Sequence, residues 1–426
     1  ARSLPVHAAM RRGVPRLERK LGFKEALVLS LSAMLGAGVY VSLGEAAATT
    51  GGSLLLAVLL GGGVALMSGL SAAELGAHDP RAGGAYQFGR QLVHPTVGFL
   101  AGWLFLLAGL AASATYTLTF GAYLQPLLPW VPLQVLGLAL VVAATALNAV
   151  GVRLSIRASV VLVAANLLIL VAFVLLTLPT GGADPLDPFL SSGLAGLLQA
   201  SALLFFAYTG FARPVTVAEE VRQPETVLPR AVPTAIGIIA VLYLGVALAG
   251  LAALGPGRFG VEPAPLRAAA LAAGAPLGPQ IVSLGALLAT SGVLLVEVWG
   301  LSRLAFAMAR NGDLPAWLGR LAPPNNIPRR GVLAIGGIVA VLTITVDLRS
   351  LIEASSFALL FYYAVMNLSA LRLPRRWRRY PRLVPLAGLG ANTALAASLP
   401  PATLLTVLVV GAVGLAYYGW RRRGVP

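Results

Sequence analysis

The sequence predicts an all-α integral membrane protein of about 12 transmembrane helices. Three observations predict it. Of 426 residues, 58% are hydrophobic and only 11% are charged, against roughly 25% charged in soluble domains. The mean hydropathy is +0.85. Apolar runs recur along the whole chain, and most reach the roughly 20 residues that ~30 Å of hydrocarbon requires. They lie near 24–49, 52–75, 93–124, 131–149, 156–179, 194–218, 229–254, 278–308, 331–347, 350–371, 383–399 and 402–420, and are called spans 1 to 12 below. Span 11 is short and barely reaches across.

Span 1 contains Leu35-Gly36-Ala37-Gly38-Val39-Tyr40. Each glycine in mid-helix costs roughly 1 kcal/mol against alanine. Backbone N–H groups freed into lipid would cost several kcal/mol each. Two readings follow. Either neighbouring helices cover the glycines by close small-residue packing, or the helix opens and its N–H groups bind something polar. Between spans 5 and 6, Gly181 to Ser192 carries Asp184, Asp187 and two prolines and reads as an external loop. Pro263 to Pro276 reads the same way. Span 6 holds Phe205-Phe206-Ala207-Tyr208-Thr209-Gly210-Phe211 followed by Arg213-Pro214, a second candidate break.

Charge is distributed by side. All but three of the 31 lysines and arginines fall on the N-terminal tail, alternate loops and the C terminus; the exceptions are Arg258, Arg267 and Arg349. The positive-inside rule then places both termini in the cytoplasm. It also accounts for the net charge of +16. Arg375-Arg376-Trp377-Arg378-Arg379 and Arg421-Arg422-Arg423 are expected against anionic headgroups, so the lipid bilayer, not nucleic acid, is the partner of the basic surface. Only Lys20 and Lys24 are lysines, a bias that hints at a GC-rich genome. The expected location is a bacterial cytoplasmic membrane. No cleavable signal peptide is visible.

There is no cysteine, hence no disulfide and no thiolate metal site. His7, His78 and His94 have no metal-ligand spacing. No cofactor is expected. A phosphate-binding G-x-x-x-x-G-K-[ST] loop is absent, so direct use of ATP is not supported. A membrane-embedded enzyme would need clustered His, Asp or Glu at a reacting centre, and the sequence offers no such cluster.

The two breaks suggest a transporter. Five helices followed by five inverted helices, with the first helix of each half interrupted, bind substrate between the interruptions. Half-helix N-termini attract anions and freed carbonyls attract cations. An α-amino acid carries both groups on one carbon.

At these residues the chain resembles the amino acid–polyamine–organocation superfamily, specifically its amino acid permeases near the cationic amino acid transporter branch. Leu35-Gly36-Ala37-Gly38-Val39-Tyr40-Val41 matches the glycine motif of helix 1. Tyr208-Thr209-Gly210-Phe211, Glu219-Glu220 and Leu228-Pro229-Arg230-Ala231 match helix 6 and its following loop. Glu74-Leu75 with Ala82-Gly83-Gly84-Ala85-Tyr86 matches the loop after helix 2. Arg303, Phe306-Ala307-Met308-Ala309-Arg310 and Gly312-Asp313-Leu314-Pro315 match the end of helix 8. Four motifs in order are far more specific than any one.

The resemblance implies a basic cytoplasmic tail over 1–23, a first five-helix repeat over 24–179, an inverted second repeat over 194–371, and helices 11 and 12 over 383–420. It implies secondary transport of an amino acid by alternating access, with no covalent chemistry. The substrate carboxylate falls on the N–H groups of Ala37 and Gly38, with Leu35 and Gly36 alongside. The ammonium falls on carbonyls of Phe206, Ala207 and Thr209. Phe206 has a second reading as an aromatic gate over the substrate, and Tyr208 one as a packing residue. Ser291 and Thr290 of span 8 are candidate lining residues opposite span 1.

Two departures from the family stand out. The family often keeps a lysine in helix 5, and that position is Asn166 here. Asn does not titrate near neutral pH. In helix 3, near Ala108 to Ala112, no acid faces the pocket, which favours a neutral substrate. Intramembrane acids are functional candidates by default, and Glu297 is the deepest of three, with Glu45 and Glu353. Glu297 reads either as a proton carrier or as a hydrogen-bonded structural acid. The coupling ion, proton or sodium, is left open, with exchange or facilitation ranked first. Rival readings are a carrier of another organic amine or cation, and a transporter-like nutrient sensor.

Overall fold

The computed structural model describes residues 19, 21–79, 84–151, 156–180, 182–322 and 327–423. Most of the basic tail, Ala82-Gly83 and Val152-Arg153 therefore lie outside the described residues. The described chain is all-α, and its only β pairing is three isolated bridges. Eight helices are long and apolar enough to cross a membrane among the described residues, and one bent pair makes a ninth. Spans 6, 9 and 11 are the shorter helices Gly193–Tyr208, Arg329–Thr345 and Leu383–Ala397. Each of the twelve apolar runs is thus a helix or a broken helix.

Span 1 is the bent pair, Phe23–Met34 and Gly38–Thr50, turned by 41°. The first helix starts where Gly22 N–H donates to Glu25 Oε2 at 2.8 Å. It ends at Leu35, whose φ of −84° and ψ of 45° leave the helical region. The chain resumes as a π-helical turn over Gly38–Ser42. Span 6 stops at Thr209 (φ −63°, ψ 149°), and Gly210 follows at φ +115°, a conformation that glycine adopts without strain. A short helix, Arg213–Thr216, resumes the path.

Around the two broken spans stand the long helices. Span 2 (Leu54–His78) packs on spans 6 and 7, and span 3 (Pro95–Leu124) packs on spans 8 and 10. Small residues set the spacing. A Cβ on Gly69 would lie 2.8 Å from Ile236 Cδ1, and one on Gly76 would lie 2.8 Å from Val215 Cγ1, so glycine lets span 2 pack closely there without moving those side chains.

One region read as a loop is more structured than expected, and span 7 is longer. Span 7 runs over Pro224–Val261 and changes direction at Gly255 (φ +69°). Pro263 to Pro276 contains the helix Pro265–Ala272, whose Leu266, Ala269 and Ala270 are buried. The reason is packing on spans 7 and 8, with Pro265 meeting span 1, where a Cβ on Gly44 would lie 3.1 Å from Pro265 Cγ. The loop at 182–192 touches the link between spans 1 and 2, with Gly52 N–H donating to Pro188 O at 3.0 Å.

Candidate transport site at two helix breaks

The two breaks cross in contact. A Cβ on Gly38 would lie 2.5 Å from Ala207 Cα, and a Cβ on Gly210 would lie 2.6 Å from Ala33 Cβ. Each break therefore needs its glycine to let the other backbone approach. Tyr243 of span 7 ties them together. Its hydroxyl lies 2.7 Å from Met34 O and 3.0 Å from Ala207 O, in reach of donating to either. Ser30 Oγ donates to Phe211 O at 3.2 Å.

Span 5 joins the break of span 1 through Asn166, which is buried. Asn166 Nδ2 donates to Leu35 O at 2.9 Å, and the Tyr40 hydroxyl donates to Asn166 Oδ1. The hydroxyl of Tyr123 donates to Tyr40 O at 2.8 Å. One amide thereby holds the last residue before the break and the first turn after it.

A cavity of about 540 Å³, open mouth included, runs beside the break on the side of Phe23–Met34. Ser32, Leu35, Asn166, Arg213, Gly292 and Val293 are among its lining residues. Gly36 sits at its edge, since a Cβ there would lie 3.3 Å from Val293 Cγ2.

The candidate residues divide accordingly. Leu35 and Asn166 line the cavity. Ala37, Gly38, Phe206 and Ala207 are buried at the crossing of the breaks. The Phe206 carbonyl accepts from Thr209 Oγ1 at 2.6 Å, and its ring lies 6.3 Å from that of Tyr116. Tyr208 points away into span 2, donating to Val58 O at 3.1 Å. Ala108 is buried, and its carbonyl accepts from Ser355 Oγ at 3.0 Å. Thr290 turns its hydroxyl back on Ala286 O at 2.7 Å. Ser291 is half-buried and outside the cavity lining.

Glu297 is ion-paired with Arg213. A Cβ on Gly109 would lie 3.0 Å from Glu297 Oε1, so the glycine in span 3 leaves room for the carboxylate. Glu353 pairs with Arg349 at 3.0 Å and accepts from Thr403 at 2.7 Å. Arg349 also reaches Thr49 at 3.3 Å, tying the far end of span 1 to spans 10 and 12.

Two motifs distant in sequence also meet. Tyr86 donates to Asp313 Oδ2 at 2.6 Å and accepts from Asn311 Nδ2 at 2.9 Å, and Arg90 pairs with Asp313. Tyr243, Tyr123 and the partner of Glu297 escaped the reading of the sequence. The available signal was a polar side chain inside an apolar span, which marks a site without naming its partner.

A family model described as amino acid permease matches residues 21–418. The chain belongs to this amino acid permease family. An uncharacterised transporter of Mycobacterium tuberculosis strain H37Rv is 40% identical, over 96% of this chain and 93% of the relative. A branched-chain amino acid permease of Bacillus subtilis is 25% identical, over 90% and 87% of the two chains. A methylthioribose transporter of the same organism is 25% identical, over 96% and 94%. The crossed breaks, the cavity and the Tyr86–Asp313 contact all fall inside residues 21–418, which the family model matches.

Proposed function

We propose that this chain carries an amino acid with an uncharged side chain across a bacterial cytoplasmic membrane by alternating access, as an exchanger or facilitator. The observation that carries the reading is the contact of two broken helices beside a cavity. The N–H groups of Gly36, Ala37 and Gly38 hold the carboxylate, and carbonyls of the second break hold the ammonium. Ala207 O lies within reach of the Tyr243 hydroxyl and keeps a further lone pair for the substrate, whereas Phe206 O already accepts from both Thr209 N–H and Thr209 Oγ1. Phe206 lies over the substrate as its gate.

Charge supports a neutral substrate. Span 3 has no acid near Ala108, and Glu297 and Arg213 neutralise one another. The branched-chain permease name agrees with such a substrate. The absence of an obligatory ion is supported by Asn166, whose amide makes the bridge that an ammonium or a sodium ion would otherwise make. Both termini lie in the cytoplasm by the distribution of arginine.

A thermal-shift screen against the twenty amino acids tests the reading, because ligands that bind the folded state raise its apparent stability. Stabilisation by one or more neutral amino acids is expected. Stabilisation by methylthioribose with none by any amino acid would replace this reading with transport of an uncharged sugar derivative.

A further inference from the structure

We propose that Arg213 sets the charge selectivity of the transport site: its tethered guanidinium occupies, at Glu297, the place that a cationic substrate side chain would take. The inference deepens the reading of the substrate as an amino acid with an uncharged side chain and rests on it.

The geometry points to Arg213 as a cap. Arg213 lines the cavity, whereas Glu297 does not. The Arg213 side chain is 24% exposed and its Glu297 partner 8%, so the cation stands between the cavity and the carboxylate. Behind Glu297 is span 3, where Gly109 leaves room for Oε1. On the Arg213 side, a Cβ on Gly300 would lie 3.4 Å from Nη1, an ordinary contact. Tyr116 of span 3 links this corner to the break, since it lies within electrostatic reach of Glu297 and Arg213 and its ring neighbours that of Phe206. The pair is thus built into the wall next to the proposed gate.

An isolated charge in the membrane interior is costly, and breaking a buried pair leaves the remaining charge uncompensated. Removal of Arg213 does two things at once. It opens a volume the size of an arginine side chain beside the cavity, and it leaves Glu297 seeking a cation. A lysine or arginine substrate supplies that cation in the same place. Removal of Glu297 has the opposite consequence, because the free guanidinium then seeks a carboxylate. A pair that serves folding alone gives neither change of selectivity.

The test is thermal-shift titration and uptake competition on the purified full chain, using leucine, lysine, arginine and glutamate. Wild type, Arg213→Ala, Glu297→Ala and the double variant Arg213→Ala/Glu297→Gln are compared. Lysine and arginine affinity should rise at least tenfold in Arg213→Ala and return to the wild-type level in the double variant. Glutamate should gain in Glu297→Ala. A monodisperse Arg213→Ala that gains no affinity for either cation overturns the proposal. If Arg213→Ala does not fold, Glu297→Ala decides, and the absence of any gain for glutamate overturns it. Wild type that binds no amino acid sinks the amino acid reading and this inference with it. Wild type that binds leucine, beside variants without altered selectivity, sinks this inference alone.

Discussion

Asn166 holds both sides of the break in span 1, donating to Leu35 O at 2.9 Å and accepting from the Tyr40 hydroxyl. A neutral amide here has one donor group and one acceptor, and both are used. Asn166→Ala leaves a buried carbonyl and a buried phenol without these partners, which costs about 1–3 kcal/mol per unsatisfied group. Thermal denaturation should show a lower midpoint, and calorimetry should show substrate affinity falling about tenfold, which is 1.4 kcal/mol. Wild-type affinity in the variant would detach Asn166 from the site.

Gly38→Ala is the smallest change that drives the breaks apart. The added methyl would sit 2.5 Å from Ala207 Cα, which is backbone and cannot rotate away. Overpacking of this kind costs about 1–3 kcal/mol. Substrate binding should fall by more than tenfold while the protein still inserts, and Gly38→Leu should abolish it. Gly63→Ala is the control, because nothing lies within 4 Å of its new Cβ. Calorimetry on both variants reads the difference; equal affinities would mean that the approach of Gly38 to Ala207 is irrelevant to binding.

Much of this arrangement was legible in the sequence, and the limits have physical causes. Every apolar run became a helix because lipid leaves the backbone no other partner. Both breaks were visible at Gly36, Gly38 and Gly210, where glycine stands against helix propensity. The two readings of the glycines, close packing and an opened helix, were not alternatives: Gly38 packs on Ala207 at the very place where the helix opens. What the sequence withheld was direction. Tyr208 and Tyr243 are both hydroxyls in apolar runs, yet one points to Val58 and the other to the breaks. Arg213 and Glu297 are 84 residues apart, and no local pattern pairs them. The helix at Pro265–Ala272 was hidden for the same reason, since its burial depends on spans 7 and 8.

Tyr243→Phe keeps the ring and removes the tie between Met34 O and Ala207 O. A net hydrogen bond is worth about 0.5–1.5 kcal/mol, so binding should weaken about three- to tenfold with little loss of folded protein. Isothermal calorimetry beside a denaturation curve separates the two effects. An unchanged affinity with a lowered midpoint would assign Tyr243 to stability alone.

Substrate chemistry gives a fourth prediction. The methyl ester and the N-acetyl derivative of the best-binding amino acid each lack one of the charges that the half-helix ends attract. Both should compete at least tenfold more weakly than the parent. Equal competition by the ester would remove the carboxylate from Gly36, Ala37 and Gly38.

The central claim is that a neutral amino acid crosses without an obligatory ion, and proteoliposome counterflow tests it most directly. Vesicles are loaded with the neutral amino acid that gives the largest thermal shift, and labelled amino acid is added outside. Sodium and proton gradients are then imposed separately, in wild type and in Glu297→Gln. The account predicts that counterflow persists with both gradients collapsed and that neither gradient alone drives accumulation. Accumulation driven by sodium or by protons alone would contradict it, and loss of the proton drive in Glu297→Gln would make Glu297 the coupling site.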